Sequence, residues 1–189
     1  MVNLKLQDSL QIYVDPVQQR RAMKLIEAMP EIMQRAYERG AQRFGKLVLQ
    51  IVKKAMATGI PPKGAKWAPL SDKTLKAYKS WGYSGSHPWF LIGQMWRQVN
   101  LFTNKRYGTI YVGFKQGLRA SHPNPATRAN LGNRYTLARL ARMLETGDGT
   151  PAPPRPLFSP AFKEAGGGAR LNKFIVEELR KELKKYNHG

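Results

Sequence analysis

PEIMQRAYERGAQRFGKLVLQIVKKAMATG, residues 30–59, carries the longest periodic signal in the chain. Apolar or small residues recur at Met33, Tyr37, Gly40, Phe44, Val48, Ile51 and Ala55. Steps of three and four residues keep them on one face of an α-helix. Arg35, Arg39, Arg43, Lys46, Lys53 and Lys54 fall off that face. Pro30 suits a first helical turn, where a missing N–H costs nothing, and Gly59 with Pro61 and Pro62 ends the pattern. The reading is a helix over 31–58 whose stripe packs into the core. Gly40 and Gly45 weaken the helix by roughly 1 kcal/mol each and leave room for another backbone to come close.

The surface for that stripe lies downstream. Thr109–Phe114 (TIYVGF) is β-branched and aromatic, the clearest strand in the chain. Val99–Thr103 is a second strand, and the turn between them carries Lys105 and Arg106 at its tip. The predicted fold is therefore α+β: a small antiparallel sheet packed against a long helix, with additional helices and long loops. Met33, Tyr37, Phe44, Val48 and Ile51 are expected to be buried against that sheet. One domain is enough for 189 residues.

Outward from this pair, residues 1–16 alternate loosely through Leu4, Leu6, Leu10, Ile12 and Val14, as one or two short strands or an extended N-terminal arm. Pro16 can start a short helix through Ala28. Ser71 is placed to cap a helix over 72–80. Leu91–Gln98 reads as a short helix or turn, and Tyr135–Thr146 as a helix. The C-terminal helix, within residues 169–189, repeats Leu171, Ile175, Leu179 and Leu183 every four residues behind a Gly166–Gly168 hinge.

Between these helices runs MLETGDGTPAPPRPLFSPAF, residues 143–162. Gly147 accepts the left-handed conformation of a C-cap. The prolines that follow forbid helix and cannot donate to a sheet, so the segment is a stiff extended arm. Ser159 reads as the cap of a helix with Pro160 at its first position. Arg155, held between Pro154 and Pro156, loses little freedom when it finds an acceptor.

Charge is distributed unevenly. The formal net charge is +20, and no carboxylate occurs between Asp72 and Glu145. That span holds Lys73, Lys76, Lys79, Arg97, Lys105, Arg106, Lys115, Arg119, Arg128, Arg134, Arg139 and Arg142. A solvated surface normally mixes signs, so a one-sign span implies a polyanionic neighbour: nucleic acid or an acidic protein surface. Residues 115–134 form a long basic loop with Lys115, Arg119, Arg128 and Arg134. Trp67, Tyr78, Trp81, Tyr83, Trp89, Phe90 and Trp96 lie among these bases. Such aromatics either stack nucleotides or anchor a loop-rich wall.

The chain has no cysteine, and His87, His122 and His188 are far apart, so neither a thiolate site nor a metal site is expected. No nucleotide-binding glycine loop, zinc-protease helix or serine-hydrolase elbow is present, and no enzyme activity or cofactor is expected. No apolar run reaches membrane length and no signal-peptide pattern begins the sequence; the expectation is a soluble, cytoplasmically made protein.

Several short pieces occur in a fixed order: Trp67-Ala68-Pro69-Leu70, Leu91-Ile92-Gly93-Gln94-Met95, Ile110-Tyr111-Val112-Gly113, Leu137-Ala138-Arg139 through Leu144-Glu145-Thr146-Gly147, and Pro153-Pro154-Arg155-Pro156-Leu157-Phe158 through Ala161-Phe162. This order, over about residues 67–165, resembles the tail-completion and head–tail joining (neck) proteins of long-tailed bacteriophages, including the Mu-like virion morphogenesis type. Ile92 stands where that family has Thr or Ser before glycine, and the 115–134 loop stands where it has a shorter connection. The resemblance implies a structural subunit, not an enzyme. Copies would form a ring, hexameric in the family, at the neck or top of the tail, completing the tail and joining it to the head. Its partners would be other copies of itself, other neck and tail proteins, and genomic DNA held non-specifically in the lumen, with no membrane. It would reside in the virion after assembly in the host cytoplasm. On this reading Lys105, Arg106, Lys115, Arg119, Arg128 and Arg134 face DNA or an acidic partner. Arg155, Pro154 and Pro156 contact the neighbouring protomer, unless Arg155 pairs within its own subunit, for example with Glu145. The alternative function is a free nucleic-acid-binding protein using the basic, aromatic-rich middle.

Overall fold

The computed structural model describes residues 16–80, 87–89, 94–104, 109–119, 136–148 and 153–187. The 1–15 arm therefore lies outside the described residues, together with Lys105, Arg106, Arg128 and Arg134. Helix α1 spans Pro16–Thr58, α2 Asp72–Ser80 and α3 Gln94–Gln98. Strands β1 (Asn100–Asn104) and β2 (Thr109–Gly113) follow, then α4 (Leu137–Thr146), α5 (Phe158–Glu164) and α6 (Gly167–Asn187). The fold is α+β, with one small antiparallel sheet packed against a long helix. β1 and β2 pair in register, with Leu101 opposite Val112 and Thr103 opposite Ile110.

Helix α1 is longer than its periodicity suggested. Pro30 does not open it; Pro30 lies inside a single 43-residue helix. The proline removes one internal hydrogen bond, and the helix continues because one side of it is held by α6. The two run antiparallel. Arg43 meets Glu177 and Glu178 at one end, and Tyr186 donates its hydroxyl proton to the Lys24 carbonyl oxygen at the other, at 2.9 Å. Gly40 makes the approach possible: a Cβ there would lie 2.7 Å from the Ile175 backbone. Gly45 gives way to a side chain rather than a backbone, since a Cβ would meet Leu101.

The buried stripe is accordingly not the expected one. Phe44 and Val48 are buried, but Met33 is 55% exposed, Tyr37 is 41% exposed and Ile51 is only half-buried. The buried positions are instead Ile32, Ala36, Ala41, Phe44, Val48, Val52, Ala55 and Met56. Two partners explain the shift. The N-terminal half of α1 turns Ile32 and Ala36 toward α6, while its C-terminal half packs on the hairpin, α3 and α5. A single stripe aimed at the sheet could not serve both. The main core joins α1 to Trp89, Met95, Val99, Phe114, Leu137, Leu157, Ala161 and Ala165.

Helix α6 begins at Gly167, so Gly167 and Gly168 belong to its first turn rather than to a hinge. The break lies at Ala165-Gly166, with Gly166 at φ 99°. Helix α2 is capped as expected: the Thr74 N–H donates to Ser71 Oγ at 3.2 Å.

Candidate functional site

The arm is locked between two helices by complementary contacts. Thr136 Oγ1 accepts from the Arg139 N–H at the start of α4, and Gly147 closes α4 at φ 78°. The chain then returns beside α4, and the Arg155 N–H donates to the Leu144 carbonyl oxygen at 2.6 Å. The Arg155 guanidinium turns inward. Its Nε donates to the Ala68 carbonyl oxygen at 2.9 Å and one terminal nitrogen to that of Pro69 at 3.2 Å. Only 5% of Arg155 is exposed. Two indoles complete the frame. Trp89 Nε1–H donates to the Arg155 carbonyl oxygen at 3.0 Å, and Trp67 Nε1–H to that of Pro156 at 2.8 Å. Burial pushes the Tyr78 phenol up, and the nearby Arg155 charge opposes that rise.

Arg155 thus braces the WAPL loop against the arm of its own chain, the intrasubunit alternative to a protomer contact. Its acceptors are the Ala68 and Pro69 carbonyls, not Glu145. Glu145 accepts from the N–H groups of Leu157 (2.7 Å), Phe158 (3.1 Å) and Ser159 (3.2 Å). It therefore caps α5, which starts at Phe158 rather than Pro160, and Leu157 at the N-cap supplies no side-chain bond of its own. Ser159 lies inside the first turn. Pro154 is exposed and Pro156 half-buried.

Sequence reading offered Trp67 and Trp89 as wall anchors without their partners on the arm, and it named Glu145 without its capping role. A signal for Glu145 existed: an acid in the last turn of a helix opposes the helix dipole, so it needs a donor elsewhere. It is also the first acid after a long carboxylate-free span. The indoles reveal themselves only when the WAPL loop and the arm are in contact.

Of the bases in that span, Lys73, Lys76, Lys79, Arg97, Lys115, Arg119, Arg139 and Arg142 are described, and every one is exposed. Lys115 and Arg119 stand at the mouth of the basic loop. The Leu137 N–H donates to the Leu118 carbonyl oxygen at 2.8 Å, and Arg119 bridges Thr136. The loop therefore leaves and re-enters the fold at one point. The described acids divide: Glu27, Glu31, Asp72, Asp148 and Glu164 are exposed, and Glu178 and Glu182 are buried. Glu145 and Glu164 accept backbone N–H groups, and Glu178 and Glu182 lie between α1 and α6 among Arg35, Arg39, Arg43, Lys181 and Lys185. The Lys181 ammonium, with Arg43, holds the Glu178 carboxyl below its ordinary range; Lys185 and Arg39 do the same for Glu182.

Among the described residues no cluster of His, Asp or Glu could hold a metal ion, and no helix is long and apolar enough to cross a membrane. Trp96 is 38% exposed beneath Lys53, but Trp67 and Trp89 have committed their N–H groups to the arm. No family model, curated protein or solved structure matches this chain.

Proposed function

We propose that this chain is a structural subunit of a phage virion, forming a ring at the neck or top of the tail that completes the tail and joins it to the head, with DNA passing through the lumen. The observation that supports this reading is the sorting of charge. Glu145 caps α5 and Glu178 and Glu182 tie α1 to α6, whereas all eight described bases of the acid-free 73–144 span are exposed. A protein arranged this way attracts phosphates without reading bases, as a DNA-lined lumen requires. The arm and WAPL loop support a rigid frame rather than a reactive site: their polar groups are paired with one another. The free nucleic-acid-binding alternative is supported less, because two of its proposed stacking tryptophans instead hold the arm.

Light scattering after size exclusion, with negative-stain microscopy, tests the reading. The expected result is a closed ring that retains duplex DNA of any sequence. Its affinity should fall with salt at about 0.9 log units per log unit of salt for each phosphate neutralised. A monomer that prefers single-stranded oligonucleotides over duplex overturns it in favour of the alternative.

A further inference from the structure

A groove of about 270 Å³ opens between α1 and the hairpin. Ile110, Tyr111 and Val112, three successive residues of β2, all line it, against Leu101 alone from β1. Leu101, Ile110 and Val112 share the sheet face turned to α1, where a Cβ at Gly45 would meet Leu101 and Ile110, and Tyr111 between the last two also lines the groove. Tyr37 and Phe44 of α1 form the opposite wall. Among the described residues β2 pairs with β1 alone. An open strand edge beside apolar walls is the arrangement that accepts an added strand: main-chain bonds supply affinity and the walls take alternate side chains.

The sequence holds a segment suited to it. Leu10-Gln11-Ile12-Tyr13-Val14, outside the described residues, alternates at strand period and carries no charge. It cannot reach the groove of its own chain. Tyr37, the nearest groove residue on α1, lies about 32 Å along the helix from Pro16 at 1.5 Å per residue. Even fully extended, the chain from Pro16 back to Leu10 covers at most about 20 Å. Yet α1 is built to present this segment elsewhere. The contact of α6 with α1 at Lys24 leaves residues 16–23 projecting beyond it, and Val17, Met23 and Ile26 are exposed at 50%, 55% and 69%.

We infer that Leu10–Val14 of one copy adds as a third strand to the β2 edge of a second copy, placing Leu10, Ile12 and Val14 in the groove. Donation passed from each copy to the next is a head-to-tail contact, which closes into a ring when the rotation permits. The inference rests on the reading of the chain as a self-assembling subunit, not on what the assembly encloses.

The test uses the full chain with Tyr13 replaced by photoreactive p-benzoylphenylalanine, as an equal mixture of nitrogen-14 and nitrogen-15 protein. Crosslinks from position 13 to residues 109–113 or 37–44 are expected, with the two peptides carrying different labels in about half of the products, as random mixing requires. In parallel, Leu10→Asp with Ile12→Asp should weaken self-association by about 100-fold or more, because two apolar anchors are lost. An oligomer that persists in this variant, or crosslinks joining only like-labelled peptides or landing elsewhere, overturns the strand donation and leaves the ring reading standing. A full chain that stays monomeric without crosslinks overturns both.

Discussion

Arg155 sits 5% exposed, and among the described residues its guanidinium donates to the carbonyl oxygens of Ala68 and Pro69 rather than to a carboxylate. A buried guanidinium is tolerated when its donors are satisfied, and its planar fork reaches two carbonyls that a single ammonium cannot hold in the same way. Arg155→Ala should lower stability by about 2–3 kcal/mol in urea titrations, and Arg155→Lys should recover only part of it. An Arg155→Ala chain within about 0.5 kcal/mol of the parent that fails to assemble would return the residue to the interface. The residue's rigidity was legible in its flanking prolines. Its direction was not, because the acceptors are backbone atoms 86 and 87 positions away, and a carbonyl has no residue-type signature. The same holds for Trp67 and Trp89, whose partners are also carbonyls of the arm.

At the scale of elements, the α1–α6 pair combines close packing at Gly40 with a band of charge. Glu178 and Glu182 are each about 8% exposed at the side chain and face Arg43, Lys181, Arg39, Arg35 and Lys185. Their folded carboxyls bind protons less readily than unfolded ones. Depressed carboxyl values contribute stability that is present above the unfolded pKa and disappears as pH falls through the folded one. The melting temperature should therefore drop on acidification through and below the ordinary glutamate range, with α6 loosened from α1. Glu178→Gln with Glu182→Gln should lower the neutral-pH melting temperature and flatten the acid limb; an unchanged limb would place the acid sensitivity elsewhere. The alternation of Leu171, Ile175, Leu179 and Leu183 made α6 legible as a helix. The partner of that face was not, since the stripe on α1 that meets it overlaps the stripe that meets the sheet. Ile32 and Ala36 lie one position before Met33 and Tyr37, a rotation of about 100° that periodicity alone does not settle.

For the whole molecule, one cluster ties together the C-terminal half of α1, α3, α4, the arm and α5 among the described residues, while α2 buries no residue. Phe44, Val48, Val52 and Met56 of α1 share it with Trp89, Met95 of α3, Phe114 beside the hairpin, Leu137 and Ala141 of α4, and Leu157 in the arm. Aromatic contacts cross the same boundaries: Trp89 meets Phe158 edge-on at 5.8 Å, and Phe44 meets Phe162 at 5.2 Å. A two-stranded sheet of five-residue strands has little stability of its own. The hairpin therefore depends on α1, and the arm depends on α4 and the WAPL loop. Because the described core is shared across these elements, unfolding should be cooperative. Far-UV circular dichroism, dominated by α1 and α6, and tryptophan fluorescence, dominated by the indoles at the arm, should trace one urea transition with a common midpoint. In an assembled ring the midpoint should also rise with protein concentration, because copies that bind only the folded chain stabilise it by mass action. Fluorescence that changes at lower urea than ellipticity would show that the arm and WAPL loop open while the α1–α6 pair remains folded, and the single core would then have to be divided at Leu157.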